Sequence, residues 1–335
     1  MKTLLIGMGC IGGTVAAMAK DKGFDVECVA HGEESAAFIE NEGFILSGFF
    51  GDKQVKMKAY PSVSALNDKY DVVFIATKYF VLEDVAREIL PYLNENSLVV
   101  SLQNGICIDA LAEIVGKDRA VGCMIGFGAT SKGKNRVEVT SGGEFFIGML
   151  SGETNGRLEY VRSFLSATLP TQITDNIRGR LFSKLIINSC INSIAGITGK
   201  TLGVVVDDRT ACDVFLRIAR EGMAVAKKMN LKVPKYGKLL EYRMLNLGNN
   251  KPYNFICQNV VIAVCKIKYK DVKPSTLQSL EKGQKTEIDI MNGLISSLGR
   301  EYGVETPVND LLTKMIKEIE NGEREITPDN LKYFR

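Results

Sequence analysis

The feature that most constrains how this chain can fold is a glycine-rich turn within its first fifteen residues. A short apolar run at residues 2–7 leads into the spacing Gly-x-Gly-x-x-Gly, and a segment of helical character at 11–22 follows. A second apolar run occupies residues 25–30. The order strand, glycine turn, helix, strand predicts a βαβ unit whose turn binds a phosphate. The three glycines are Gly7, Gly9 and Gly12.

The same residues also resemble a secretory signal, because Lys2 precedes an apolar run and the small residues at 17–19 resemble a cleavage site. The glycines argue against that interpretation, since they would interrupt the apolar segment and cleavage would remove the first strand. We expect a dinucleotide site, in which Gly7 makes the tight turn, Gly9 admits the pyrophosphate and Gly12 allows close helix packing. The helix dipole would then face the anion. The residues expected to bind the cofactor here are Gly7, Met8, Gly9, Cys10, Ile11 and Gly12.

Beyond this unit, continuously apolar runs alternate with helical segments up to residue 174. This alternation predicts parallel strands that are covered by helices on both faces. From residue 175 the apolar spacing becomes helical. We therefore expect an α/β fold with two domains: an N-terminal Rossmann-type doubly wound sheet over residues 1–174, and a C-terminal all-α domain over residues 175–335.

Two segments interrupt the alternation in the first half. Residues 43–58 and 136–150 each resemble a pair of strands joined by turn residues, and we expect both as antiparallel additions at the edge of the main sheet. The second half is expected to consist of long amphipathic helices. The helix candidates there are 177–197, 211–229, 236–247, 286–302 and 308–321.

Composition excludes several classes of function. The net charge is +3, from 42 basic and 39 acidic residues without a long basic block, so nucleic acid is not an expected partner. The apolar stretches are too short or too interrupted to predict a membrane span. The eight cysteines contain no Cys-x-x-Cys motif, which indicates reduced thiols and a cytoplasmic protein. Because His31 is the only histidine, a Ser-His or Cys-His nucleophile would have to be built on that one residue; neither such a nucleophile nor a metal site is expected.

Residues at the ends of predicted strands point to the cofactor. His31 follows the second strand, where an acid usually binds a ribose 2′-hydroxyl and a basic residue a 2′-phosphate. Glu33 and Glu34 follow it, so the signal is mixed; it mildly favours NADP(H) over NAD(H), and a surface loop without a role is the alternative. Lys78 and Asn104 close two further strands and would face the cofactor crevice, although either could be an ordinary loop residue.

A polar stripe marks the apolar segment at 177–197. Lys184, Asn188 and Asn192 are spaced at i, i+4 and i+8, so they share one face of the predicted helix. A solvent-exposed face is the alternative, but such a face usually carries more Glu and Lys. Since buried amides without partners are costly, the stripe favours contact with a polar ligand. Later, Ser275 at a predicted helix start and Glu287 are further candidates, for which helix capping and a surface helix are the simpler explanations.

Together these motifs, in this order over residues 1–315, resemble the ketopantoate reductase family, also called the 2-dehydropantoate 2-reductases. The resemblance implies a Rossmann domain and a helical substrate domain with the active site in the cleft between them. It also implies reduction of 2-dehydropantoate to (R)-pantoate by NADPH in pantothenate biosynthesis. The motifs are Gly7-x-Gly9-x-x-Gly12, Thr77-Lys78, Gln103-Asn104-Gly105, Lys184-x3-Asn188-x3-Asn192, Pro274-Ser275-x-Leu277-Gln278, Thr286-Glu287-Ile288-Asp289 and Asn292-Gly293.

The resemblance also implies roles for individual residues. Lys184 would be the general acid, with Glu287 beside the cofactor and the catalytic centre; Lys78 would contact the cofactor. Chemistry agrees, because an ammonium can stabilise and protonate the alkoxide that hydride transfer leaves on a ketone oxygen. The residues implied to bind substrate are Asn104, which would also touch the cofactor, Asn188, Asn192 and Ser275.

Two positions depart from the family pattern. The family often has Arg where this chain has His31, and Asn where it has Leu202. Cofactor preference and the identity of the substrate are therefore open. The alternatives are a paralogous reductase of another branched oxo acid and a non-catalytic NAD(P)-binding sensor, although a sensor would need only the glycine turn. The expected partner is a small oxo acid, and a homodimer is compatible with a sequence that does not define the oligomeric state.

Overall fold

The computed structural model describes residues 1–205, 207–236, 241–242, 251–268 and 273–335. It divides into two compact units, Met1–Leu181 (unit 1) and Phe182–Arg335 (unit 2). Unit 1 contains the sheets, whereas the described part of unit 2 consists chiefly of helices. The predicted fold class, a Rossmann-type α/β sheet followed by a helical region, is confirmed.

Unit 1 alternates strands and helices along the chain. Its strands are β1 (Thr3–Ile6), β2 (Val26–Val29), β3 (Phe44–Gly48), β4 (Lys53–Val55), β5 (Ala59–Tyr60), β6 (Tyr70–Ile75), β7 (Leu93–Ser101), β8 (Ala120–Met124), β9 (Gly128–Gly133), β10 (Arg136–Ser141), β11 (Phe145–Met149) and β12 (Thr171–Ile173). Its α-helices are α1 (Cys10–Asp21), α2 (Glu33–Asn41), α3 (Leu82–Glu88), α4 (Ile108–Val115) and α5 (Gly156–Ser166). Short 3₁₀ helices lie at Val63–Ala65, Tyr79–Val81 and Leu90–Tyr92.

The main sheet has eight strands in the order β12-β11-β8-β7-β6-β1-β2-β5. Every neighbouring pair is parallel except β8 with β11. The strand β1 lies between β6 and β2, so the chain order reverses beside it. This reversal is the point at which doubly wound sheets bind ligands beyond the carboxyl ends of their strands.

The prediction of antiparallel additions at the edge of the main sheet was wrong in its arrangement. Residues 44–55 do form an antiparallel pair, β3 with β4, but this pair belongs to a second sheet with the order β4-β3-β10-β9. Residues 136–150 are not a hairpin, because β10 pairs with β9 and with β3 while β11 joins the main sheet. Local turn residues could not reveal the parallel β3–β10 pairing, which joins distant segments.

The core of unit 1 explains why its strands carry apolar residues on both faces. All four residues of β1 and of β2 are buried. On one side, the ring of Phe74 stacks on that of Phe164 of α5 with centroids 4.7 Å apart, and Phe24 meets Phe164 edge-on at 5.2 Å. Such contacts require helices on the sheet, and burial of each large side chain stabilises the fold by roughly 2 kcal/mol.

Unit 2 continues from a long helix that begins in unit 1. The α-helices are α6 (Ile177–Thr198), α7 (Leu202–Val205), α8 (Arg209–Lys228), α9 (Lys251–Lys268), α10 (Ser275–Glu281), α11 (Asn292–Tyr302) and α12 (Pro307–Glu320). Two 3₁₀ helices lie at Ile288–Ile290 and Pro328–Phe334. The helix predicted at 236–247 falls largely outside the described residues.

The helix predicted at 286–302 is interrupted. A 3₁₀ turn covers Ile288–Ile290, and Met291, with φ −111° and ψ −104°, separates it from α11. Apolar spacing continues through the break because Ile288, Ile290 and Met291 are all buried, so periodicity alone could not locate it.

By length and composition α6 could cross a membrane, but 89% of its most apolar window is buried inside the protein. Among the described residues it is the one helix that passes this test. Six of the seven cysteines whose surroundings are described are buried as well. Burial raises the pKa of the Cys28 thiol to about 12, so that thiol stays protonated at neutral pH.

Candidate functional site

The glycine turn between β1 and α1 is held by close backbone contacts. Gly7 has φ +98°, and a Cβ there would lie 2.8 Å from the backbone of Ala76 and of Thr77, just beyond β6. A Cβ on Gly12 would lie 2.2 Å from the carbonyl oxygen of Gly7. The turn therefore depends on glycine at both positions, as the sequence predicted from their spacing.

Gly9 differs from these two glycines because a Cβ there would meet nothing within 4 Å. It is exposed and serves as the N-cap of α1, with no side chain capping the helix and no acidic residue in the first turn. The space above Gly9 and the uncapped helix end fit an anion such as a pyrophosphate. The residues present thus fit the dinucleotide that the spacing predicts.

The end of β2 places His31 in the turn before α2. His31 and Gly32 are exposed, and Gly32 adopts φ +83° as the N-cap of α2. Glu33 and Glu34 then occupy the first helical turn, where acidic side chains interact favourably with the helix dipole. Both the basic and the acidic side chains that made the cofactor signal mixed therefore lie at this one turn.

Lys78 and Asn104 follow neighbouring strands, β6 and β7, at the same end of the sheet. A buried side chain, Gln103, joins the two strand ends: its Nε2 donates to the carbonyl oxygens of Thr77 at 3.2 Å and Lys78 at 3.5 Å. Its Oε1 in turn accepts from the Ser101 hydroxyl at 3.0 Å. Gln103 thereby fixes the backbone at Lys78, although the sequence argument singled out only its neighbour Asn104.

The polar stripe of α6 runs from a half-buried into a buried environment. Lys184 and Asn188 are half-buried, and Asn192 retains 6% of its exposure. The Asn192 amide donates from Nδ2 to the carbonyl oxygen of Asn188 at 3.1 Å. The stripe is thus not a solvent-exposed face, because its deepest member lies within the fold of unit 2.

A hydrogen bond joins Asn192 to Ser275, a second predicted substrate position that lies 83 residues later in the chain. The Oδ1 of Asn192 accepts from the hydroxyl of Ser275 at 3.1 Å and from the backbone N–H of Thr276 at 3.2 Å. These donors belong to the first turn of α10, which begins at Ser275 after Pro274, as predicted. The side-chain oxygen of Asn192 consequently ties the start of α10 to α6.

Glu287 is half-buried and stands immediately before the 3₁₀ turn at Ile288–Ile290, where its carbonyl oxygen accepts from the N–H of Ile290 at 3.2 Å. The turn is anchored to α12, since the N–H of Thr286 donates to Glu320 Oε1 at 2.6 Å. The structure thus places Glu287 at an irregular, anchored turn rather than inside the regular helix that the sequence predicted.

Another carboxylate of unit 2 was missed in the sequence. Glu221 of α8 accepts from the backbone N–H groups of Val308 at 2.9 Å and Asn309 at 3.0 Å, at the start of α12. Burial raises the pKa of Glu221, and the hydrogen bonds oppose that shift. Glu221 caps the start of α12 through a hydrogen bond from a residue 87 positions later, and a carboxylate on the packed side of an amphipathic helix is the signal that could have revealed it.

Within the described ranges no group of three or more His, Cys, Asp or Glu side chains could hold a metal ion. Leu202 is the first residue of α7. The site features lie in two sets, one at the strand ends of unit 1 and one along α6 and α10 of unit 2.

Models of a known protein family match residues in both units. The model of the ketopantoate reductase PanE/ApbA family matches residues 3–152, and that of its C-terminal domain matches residues 176–320. The chain belongs to the ketopantoate reductase family. The predicted family is thus confirmed, and with it the prediction of an NAD(P)-dependent oxidoreductase that acts on a ketone.

Relatives of the ketopantoate reductase family match along almost the whole chain. The 2-dehydropantoate 2-reductase of Archaeoglobus fulgidus is 27% identical over 95% of this chain and 97% of its own length. That of Aquifex aeolicus is 26% identical over 95% of this chain and 96% of its own. The crystal structure of a PanE/ApbA family ketopantoate reductase from Ralstonia eutropha JMP134 superposes with a TM-score of 0.81 at 25% identity, covering 97% of this chain and all of that one.

A structure of D-mandelate dehydrogenase with NADH and anilino(oxo)acetate also superposes with a TM-score of 0.81, at 22% identity over 96% of this chain and 99% of that one. At that identity the likeness shows the fold alone. That neighbour was solved with NADH bound, whereas the preference for NADP(H) over NAD(H) stays a prediction for this chain.

Proposed function

We propose that this member of the family reduces 2-dehydropantoate to (R)-pantoate with NADPH, in pantothenate biosynthesis. The observation that carries the proposal is the bond network of Asn192, which joins the α6 stripe to Ser275 in unit 2. A sensor of NAD(P) would require only the glycine turn. The polar set on α6 and α10 supports a second, small polar ligand, and family membership favours an oxo acid.

The nicotinamide supplies the hydride when it is bound. In this proposal the backbone of the glycine turn, Gly7 to Gly12, holds the pyrophosphate, and the side chains of Lys78 and Asn104 contact the cofactor. Lys184 protonates the oxygen of the reduced ketone and stabilises the negative charge that develops on it. Glu287 supports the charge of that lysine.

The substrate side of the proposal uses hydroxyl and amide groups. Asn188 and Asn104 can both donate to and accept from a substrate hydroxyl, and the Ser275 hydroxyl can donate to a carboxylate. Asn192 has its Oδ1 occupied by two donors of α10, so we assign it to holding Ser275 in place, in addition to any contact with substrate. His31 would lie beside the 2′-phosphate of NADPH.

A panel of 2-oxo acids, assayed with NADPH and NADH in parallel, tests the proposal. We expect NADPH oxidation to depend on added 2-dehydropantoate. Lys184→Ala should lower kcat by about 10² or more with a smaller change in KM. Lys227→Ala, which removes an exposed lysine from α8, is the matched control and should leave kcat unchanged. An unaltered kcat in Lys184→Ala would contradict the assignment of the general acid.

A second candidate is reduction of another branched oxo acid. Leu202 favours it, because the family often carries an amide at this position. Turnover of a neighbouring oxo acid without turnover of 2-dehydropantoate would select this candidate. No turnover of any acid would favour the sensor.

The remaining expectations are part of the proposal as well. The absence of Cys-x-x-Cys motifs and the burial of most cysteines support a cytoplasmic location. The ketopantoate reductase of Staphylococcus aureus, similar in fold with a TM-score of 0.75 at 17% identity, is dimeric. We propose a homodimer for this chain, to be checked by light scattering.

A further inference from the structure

The tip of the β9–β10 hairpin lies against the first turn of α2. Lys134 and Asn135 form the tip, and the side chain of Lys134 reaches Glu34, with 2.5 Å between Nζ and Oε2. Asn135 is buried and accepts from the hydroxyl of Ser35 at 2.7 Å, and its carbonyl oxygen accepts from the N–H of Ile45 at 3.0 Å. These internal bonds hold the tip, so the position of Lys134 beside α2 does not depend on the exposed ion pair alone.

This part of a Rossmann fold is where the 2′ group of the adenosine ribose is recognised. Here β2 ends at Val29, the chain turns at His31 and Gly32, and α2 starts with Glu33 and Glu34. The ammonium of Lys134 is therefore brought to the 2′ recognition turn from a segment 100 residues further along the chain.

The charges at this turn are opposed. Glu33 and Glu34 can accept from a ribose 2′-hydroxyl, but they would repel a 2′-phosphate. The imidazole of His31 lacks the planar guanidinium fork with which an arginine binds a phosphate through two parallel hydrogen bonds. Without a further cation the turn would favour NAD(H). In the described structure Lys134 forms an ion pair with Glu34, and its exposed ammonium can leave the carboxylate and bind a phosphate instead.

We propose that Lys134 is a specificity-determining residue that binds the 2′-phosphate of NADP(H), and that Glu34 holds its ammonium when the 2′ position carries only a hydroxyl. This inference rests on the proposed function, because it concerns the same cofactor site. It assigns the choice between NADPH and NADH to the ion pair between the hairpin and α2, rather than to the loop after β2 alone.

Calorimetric titration of the full chain with NADPH and with NADH tests the inference. Lys134→Met should raise the Kd for NADPH about tenfold, the loss expected for one charge-assisted hydrogen bond, and change the Kd for NADH less than twofold. Glu34→Gln should lower the Kd for NADPH a few-fold. In a protein that already carries Lys134→Met, the same substitution should lower that Kd much less.

The matched control is Lys132→Met, which removes a lysine from the same hairpin. Lys132 pairs with Glu138, 2.6 Å away, instead of with α2, and its loss should leave both Kd values unchanged. Equal effects of Lys134→Met on both cofactors, or none on either, would overturn the inference while the proposed function stands. Failure of the unmodified protein to bind either cofactor would overturn the proposed function and this inference with it.

Discussion

The two sets of site residues are built in opposite ways. The glycine turn of unit 1 works through the absence of side chains, because backbone atoms occupy the space where a Cβ on Gly7 or Gly12 would lie. The cluster of unit 2 works through one side chain, Asn192, whose amide joins α6 to the start of α10. The first arrangement is destroyed by adding atoms and the second by removing them.

The largest effect should follow from adding one methyl group to the turn. In Gly12→Ala the new Cβ would lie 2.2 Å from the Gly7 carbonyl oxygen and 2.7 Å from Ala76 Cβ, so backbone must move. We expect a loss of about 3 kcal/mol in the free energy of unfolding, measured by urea denaturation.

Gly9→Ala is the control for that substitution. Because nothing lies within 4 Å of the new Cβ, the free energy of unfolding should change by less than about 0.5 kcal/mol. The Kd for NADPH should nevertheless rise, since the methyl group would occupy the space proposed for the pyrophosphate. A Gly9→Ala protein that unfolds as easily as Gly12→Ala would refute the steric account of the turn.

Removing the side-chain amide of Asn192 should lower the free energy of unfolding by less than Gly12→Ala does. Asn192→Leu leaves the N–H of Thr276 and the hydroxyl of Ser275 without their acceptor, which should cost about 2 kcal/mol of stability and raise KM for the oxo acid. Asn321→Ala, at an exposed position, should cost little and leave KM unchanged. If Asn192→Leu matches the unmodified protein in both measurements, the amide does not hold Ser275.

One carboxylate of each unit, Glu27 in unit 1 and Glu221 in unit 2, extends the comparison to the effect of pH. Burial alone would raise the pKa of Glu27 on β2, but hydrogen bonds from Tyr70 and Lys58 outweigh it and hold that pKa below its usual 4.5. A lowered folded-state pKa gives stability that is present above about pH 4.5 and is lost as the pH falls further. The pKa of Glu221 in unit 2 is raised, so protonation there does not weaken the fold.

Glu27→Gln should therefore cost about 1.5 kcal/mol at pH 7, and its deficit should shrink towards pH 3, where the unmodified carboxylate is protonated too. Urea denaturation at a series of pH values measures this. Glu138→Gln, which removes a half-buried carboxylate that pairs with the exposed Lys132, is the control and should show a small difference at every pH. A deficit for Glu27→Gln that does not vary with pH would show that the charge of Glu27 is not what stabilises β2.

The smallest change in stability should come from Ser275→Ala, which removes one exposed hydroxyl from the Asn192 cluster while the N–H of Thr276 stays bound. About 0.5 kcal/mol is expected. If Ser275 binds the substrate carboxylate, KM should still rise several-fold with kcat nearly constant, as steady-state kinetics would show. An unchanged KM would remove Ser275 from the substrate site.

Sequence reasoning succeeded where the determinants are local. The spacing of Gly7, Gly9 and Gly12 fixes a turn within one βαβ unit, and the tightest contact of Gly12, with the carbonyl oxygen of Gly7, lies within the turn itself. The start of α10 after Pro274 was equally local. The strand order around β1 follows from the alternation of strands and helices, which leaves few possible topologies.

It failed where a residue depends on a partner far along the chain. The parallel pairing of β3 with β10, the cap that Glu221 provides to α12 and the ion pair of Lys134 with Glu34 all join distant segments. No spacing rule encodes these meetings. The break at Met291 was missed for another reason, because a 3₁₀ turn can bury the same residues as a helix.

The β3–β10 pair has a consequence for the order in which the protein forms during synthesis. The segments β1, α1 and β2 are contiguous and can assemble soon after residue 29 is made. The strand β3 can pair with β4 almost as early, but its other edge must wait for β10, which starts at Arg136. Contacts between distant segments also form more slowly than local ones. A growing chain would thus acquire its glycine turn early, and the lysine proposed to distinguish the two cofactors would take its place only later.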